Sequence, residues 1–222
     1  MKKRSFWLVF LVALFALVPM ALVDGVIKPG YAVKSAVKVG LFLLLPWLAS
    51  KTDPQIAYGS LLKPKKKGFL PALLLGVGIY GVIVGAYFAV APIFDFSAIA
   101  GSLTADMGVT GDNFLFVSLY ISFVNSFLEE FFFRGFVFTN LKRAAGRPLA
   151  YAVSAAFFSL YHVAMMVSWF SPLLFFLVMA GLVLGGVIFN YMNEKADTIY
   201  CSWLVHMFAN FAINTIGFML LT

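Results

Sequence analysis

The chain has 222 residues, of which 63% are hydrophobic, 18% aromatic and only 11% charged. No soluble domain of this size manages on so little polar surface, and nothing in it alternates as the strands of a membrane barrel do; the composition therefore describes an all-α, polytopic transmembrane helical bundle. One cysteine, Cys201, excludes an internal disulfide and a four-cysteine metal site, while the net charge of +7 lies in short loops, where it reports topology and anionic-lipid contact rather than nucleic acid.

The chain opens with Met1-Lys-Lys-Arg4 and an apolar run from Ser5 to Val23. A basic start fits a signal peptide, but Ala-Leu-Val-Asp-Gly offers no small-x-small cleavage site, so an uncleaved first span is expected. A second span is expected from about Lys34 to Ala49, with Pro46 placed to break or kink it. Lys51 to Lys67, with Lys63 and Lys65-Lys66-Lys67, is a basic connector polar enough to lie in water. Span three covers about Gly68 to Val90, where Gly81-x-x-x-Gly85 offers a close helix contact. Pro92 to Asn113 carries Asp95, Asp106 and Asp112 without a basic residue and belongs outside, its middle, Phe94 to Leu103, at the interface.

Span four runs from about Phe114 to Leu141 and contains Asn125-Ser-Phe-Leu-Glu129-Glu130-Phe-Phe-Phe-Arg134. Each ionisable group near a helix centre costs roughly 2.5–3.5 kcal/mol to insert, so three in six positions mark a functional site facing the protein interior. Glu130 and Arg134 share a helix face and form a mutually neutralising pair. Glu129 lies about 100° round the helix, on the face of Asn125, and is left as the free carboxylate. After a cytoplasmic turn with Lys142, Arg143 and Arg147, spans five (about Pro148–Val167), six (about Pro172–Tyr191, with Gly181-x-x-x-Gly185-Gly186 for packing) and seven (about Ile199–Leu221) follow. The turn Asn193 to Asp197 separates the last two. Loop lysines and arginines give a cytoplasmic N-terminus, an outer C-terminus and about seven spans. Lys28, Lys34 and Lys38 on the outer side leave six to eight open. Residues 1–222 are expected to form a single integral-membrane domain, multi-pass in the inner membrane of a prokaryotic cell.

Both histidines fall within spans: His162 on span five, His206 on span seven with Asn210 one turn beyond and Asn214 extending the stripe. At 1.5 Å per residue, Glu129 lies ~18 Å from the cytoplasmic surface, His162 ~21 Å, and His206 and Asn210 roughly 10–17 Å. Shared depth in a core ~30 Å thick argues for one buried polar cavity. A carboxylate, two imidazoles and a carboxamide suit hydrolysis of a peptide bond: Glu129 takes a proton from water that His162 helps to hold, and His206 with Asn210 donates to the oxyanion. No serine or cysteine stands in a nucleophile motif, which favours activated water.

Glu129-Glu130-x-x-x-Arg134, Phe158-x-x-x-His162 and His206-x-x-x-Asn210 resemble the three signature motifs of the CAAX-protease and bacteriocin-processing family (CPBP, or Abi), which includes the Rce1-type prenyl-protein endopeptidases. The resemblance covers a core of about residues 114–214. It implies an intramembrane glutamic endopeptidase with Glu129, His162, His206 and Asn210 catalytic, Glu130 and Arg134 supporting, and Asn125 beside them. Its partners would be the lipid bilayer and a membrane-delivered peptide or a lipidated or anchored protein, cut near a chain end. Members trim prenylated tails, process or resist bacteriocins, or remove sorting anchors.

No cofactor is expected. Glu129, His162 and His206 are also zinc ligands by type, and a zinc-dependent intramembrane protease is the first alternative, although the chain lacks His-Glu-x-x-His. A proton-coupled transporter or a non-catalytic membrane binding or immunity protein is the second, without the repeated halves that transporters show.

Overall fold

The computed structural model describes residues 2–96, 99, 101, 104–105 and 109–221. Asp106, and five residues of the segment expected at the interface (Ser97, Ala98, Ala100, Ser102 and Leu103), lie outside the described residues. The fold is 82% helical, without a strand among the described residues. Among the described residues, seven helices are long and apolar enough to cross a membrane: α1 (Lys3–Ile27), α2 (Tyr31–Thr52), α3 (Phe69–Val90), α4 (Phe114–Ala145), α5 (Arg147–Met166), α6 (Pro172–Ala196) and α7 (Ile199–Leu221). The protein is an integral membrane helical bundle.

Several helices outrun the apolar stretches that announced them. The helix α6 passes through Asn193-Glu-Lys, expected as a turn, and stops where Asp197 takes a left-handed φ of 54°. Glu194 explains the extension: its carboxylate accepts from Arg147 Nε at 2.9 Å and Tyr151 Oη at 2.8 Å and pairs with Lys142 at 3.4 Å. An acid bound to α4 and α5 in this way belongs on a packed helix face. Pro46 does not break α2. The preceding turn, Gly40–Leu44, is π-helical, with Leu45 N–H donating to Gly40 C=O, and the wider turn makes room for a ring that would collide with a regular i−4 carbonyl.

Of the motif glycines, Gly186 makes a close contact, and Gly76, outside the motifs, makes another. A Cβ at Gly81, Gly85, Gly181 or Gly185 would meet nothing within 4 Å, whereas one at Gly186 would come to 2.9 Å of Ala155 Cα and one at Gly76 to 2.7 Å of the Phe208 ring. Gly186 therefore sets α6 against α5, and Gly76 sets α3 against α7.

The connector between α2 and α3 is only half in water. Lys63 and Lys65 to Lys67 are exposed, but Ile56 and Leu61 are buried. Leu61 packs with Phe131 of α4 and Ile199 of α7. Asn140 of α4 pins the chain by accepting from Ala57 N–H at 2.7 Å and donating to Ala57 C=O at 2.9 Å, as a neighbouring strand would. At the other end of the loop, Thr198 Oγ1 donates to the Lys63 carbonyl at 3.0 Å. Asn140→Ala would leave both polar groups of Ala57 unpaired in a half-buried place, so a loss of about 1–3 kcal/mol is expected. A clear drop of the melting temperature in detergent checks this; an unchanged melt would mean that the connector is not anchored there.

Candidate active site

The site is organised on α4, which is surrounded along its middle: all residues from Leu128 to Phe138 are buried. Two stretches of it, Tyr120–Asn125 and Glu130–Phe138, are π-helical, a widened form that recurs at functional sites. Neighbouring side chains give its carbonyls extra donors. Asn210 Nδ2 donates to Ile121 C=O and Asn214 Nδ2 to Ser118 C=O, both at 3.2 Å. Ser154 Oγ donates to Phe133 C=O at 3.0 Å, and Thr139 Oγ1 to Arg134 C=O at 2.8 Å. Lipid offers no such partners, so the irregular backbone persists because protein surrounds it.

Glu129 and Glu130 are buried, at 2% and 0% exposure, and each meets its own cation. Glu130 Oε1 lies 3.2 Å from Arg134 NH1, the pair expected from the sequence. The same oxygen accepts from His206 Nδ1 at 3.0 Å. The guanidinium makes no aligned hydrogen bond among the described residues. Its charge is met instead by aromatic faces, Phe158 at 4.1 Å and Phe189 at 4.9 Å, where cation–π attraction in a desolvated place reaches about 2 kcal/mol.

Glu129 is not the free carboxylate that helical geometry suggested. Its Oε1 accepts from Asn125 Nδ2 at 2.7 Å and from Lys38 Nζ at 3.1 Å. Lys38 also donates to Asn125 Oδ1 and lies 4.9 Å from the centre of the Tyr161 ring. This buried lysine, counted from the sequence only as an outer-side charge, is the site residue that pattern reading missed. The available signal was Lys34 and Lys38 one turn apart on an otherwise apolar helix.

The other oxygen of Glu129 faces both histidines. Oε2 is 3.9 Å from His162 Nε2 and 3.9 Å from His206 Nε2. His162 donates from Nδ1 to the Phe158 carbonyl at 2.8 Å, which leaves Nε2 of the neutral ring as an acceptor turned to Glu129. Phe158 thus does two jobs: its carbonyl orients His162, while its ring touches Arg134, His162 (4.9 Å between centroids) and His206 (5.7 Å). Phe189 stacks on the His206 ring at 5.0 Å. Asn210 stands one turn beyond His206, held by Ile121. A small polar pocket, about 170 Å³, opens beyond His162 at the end of α5, lined by Asp24, Lys34, Ala164 and Trp169 among others. Asp24 and Lys34 pair across it at 3.3 Å.

Fold and cluster together define a polytopic membrane protein with an acid–base centre enclosed by its helices. Residues 111–212 match the family model for the Type II CAAX prenyl endopeptidase Rce1-like proteins, so this stretch of the chain is similar to that family of membrane proteases. No curated protein and no solved structure matches the chain. The matched stretch contains α4, α5 and α6 whole and α7 as far as Ala212, with Glu129, His162, His206 and Asn210 in it; Lys38 lies outside it.

Arg134→Ala would leave Glu130 without its cation and empty the space between two rings. A loss of about 3–5 kcal/mol is expected, as for any buried pair broken from one side, so little folded protein should survive detergent extraction. Normal yield with an unchanged melt would contradict the pairing.

Proposed function

We propose that the protein is a glutamic-type intramembrane endopeptidase that hydrolyses a peptide bond near the end of a membrane-associated, lipidated or anchored protein. The observation that carries this reading is the pair of 3.9 Å separations between Glu129 Oε2 and the two imidazole Nε2 atoms. Oε2 and the His162 Nε2 are both acceptors, and two acceptors at that distance repel unless a donor stands between them. A water molecule supplies two hydrogens, is activated by the carboxylate, and is confined by the second imidazole.

In the reaction the water oxygen bonds to the scissile carbonyl carbon while its proton passes to Glu129. The carbonyl oxygen becomes an oxyanion, to which His206 Nε2–H and Asn210 Nδ2–H donate. For His206 to donate from Nε2, the ring must carry a proton on both nitrogens, and the Glu130 carboxylate at 3.0 Å compensates that charge. The carbon–nitrogen bond then breaks as Glu129 returns the proton to the leaving amine. The family description supports a prenylated substrate, and the position of the centre inside the bundle favours a chain end delivered through the membrane.

Zinc fits these groups less well. Two ligands at ~2.1 Å with tetrahedral angles lie ~3.4 Å apart, whereas both Glu129–histidine distances are 3.9 Å, and the Lys38 ammonium on Oε1 sets a positive charge beside the place a cation would take.

Purified protein in proteoliposomes, given a prenylated C-terminal peptide, is expected to cleave it and to keep its rate after chelator dialysis. Glu129→Gln should slow cleavage ~100- to 10,000-fold, the range for loss of a general base. Equal rates in both proteins would remove Glu129 from the chemistry and overturn the reading.

A further inference from the structure

The two oxygens of Glu129 are treated differently, and part of the difference comes from a helix outside the family-like core. Oε1 is occupied twice, by Asn125 Nδ2 at 2.7 Å and by Lys38 Nζ at 3.1 Å. Oε2 alone is turned to the imidazoles. Lys38 and Asn125 are themselves joined by a hydrogen bond, so lysine, carboxamide and carboxylate close a three-membered ring of contacts. The stem of Lys38 has no freedom to leave it: the ammonium lies over Tyr161 at 4.9 Å and near Phe42 at 5.7 Å, and the residue is 6% exposed. Phe42 in turn stacks on Phe132 of α4 at 4.3 Å, which fixes α2 against the helix that carries the carboxylate.

We propose that Lys38 is a positioning residue of the reaction: with Asn125 it holds Oε1 of Glu129 and thereby presents Oε2 to His162 and His206. A carboxylate on a single χ3 torsion would otherwise rotate freely and offer either oxygen, since that torsion is broad and two-fold. The inference rests on the proposed hydrolytic role of Glu129, and it goes beyond that role by making the N-terminal hairpin part of the working site. A displacement of about 1 Å in a reacting group lowers rate on the order of 100-fold, and loss of the ammonium permits at least that.

The test uses the full-length protein in proteoliposomes with the same prenylated peptide, comparing wild type, Glu129→Gln, Lys38→Met and Lys38→Arg. The expected result is a kcat lower on the order of 100-fold in Lys38→Met with KM within about twofold, and recovery to within about tenfold of wild type in Lys38→Arg, which restores a donor and a charge. Should Lys38→Met not fold, Lys38→Leu carries the same comparison. It offers neither donor nor charge, and its melt shows that the bundle is intact. Wild-type kcat in a folded Lys38→Met or Lys38→Leu protein overturns the proposal while leaving the proteolytic reading in place. A changed KM with unchanged kcat also overturns it, by moving Lys38 to substrate binding. Equal cleavage by wild type and Glu129→Gln overturns both.

Discussion

Two adjacent carboxylates inside a membrane cannot share one counter-charge, and the arrangement of this bundle follows from separating them. A buried acid without a partner costs several kcal/mol, and residues next to each other on a helix point about 100° apart. Glu129 therefore meets Lys38, from α2, and Glu130 meets Arg134, one turn along α4, together with His206 from α7. Each pairing draws a different part of the chain to α4. The central helix is central because it carries two charges that must be answered from two sides.

The aromatic residues finish what the ion pairs begin. Arg134 sits near its carboxylate without an aligned hydrogen bond, which would be a poor arrangement were the ion pair its only partner. Phe158 and Phe189 supply the remainder as ring faces, and the same two rings touch His206. A change in either ring would reach the guanidinium and the imidazole together. The 18% aromatic content, which composition alone would assign to lipid contact and packing, is in part an electrostatic device.

What could be read from the sequence was the set of residues whose burial is expensive enough to demand a reason. Glu129, Glu130, Arg134, His162, His206 and Asn210 are polar groups in apolar runs, and seven spans followed from hydropathy. Lys38 was missed because a lysine near the edge of a short, weakly apolar span is ordinarily a snorkelling or loop residue. Only the fold shows that α2 starts at Tyr31 and continues past Pro46, which carries Lys38 inward. The docked connector was missed for a related reason: its lysines are exposed as expected, and the buried Ile56 and Leu61 are too few to make a pattern. The glycine motifs held at Gly186 and not at Gly81, Gly85, Gly181 or Gly185, because small residues permit close approach without requiring it. Gly76 and Gly186, which are in contact, differ from Gly81 and Gly85 only in what faces them.

The placement of Lys38 bears on how such a core acquires new behaviour. The stretch that carries the family likeness, residues 111–212, contains Glu129, His162, His206 and Asn210. It does not contain the cation that answers Glu129. Within the core alone, Glu129 would have Asn125 on one oxygen and two imidazoles opposite the other, with no neutralising charge as close as Lys38. The carboxylate would then stay ionised only at the cost of an unpaired buried charge, or be neutralised by a proton and lose its basicity. A helix packed from outside the core can therefore set the surroundings of Glu129 without touching the signature positions, and α2, wedged between Phe132 and Tyr161 through Phe42, is placed to do so.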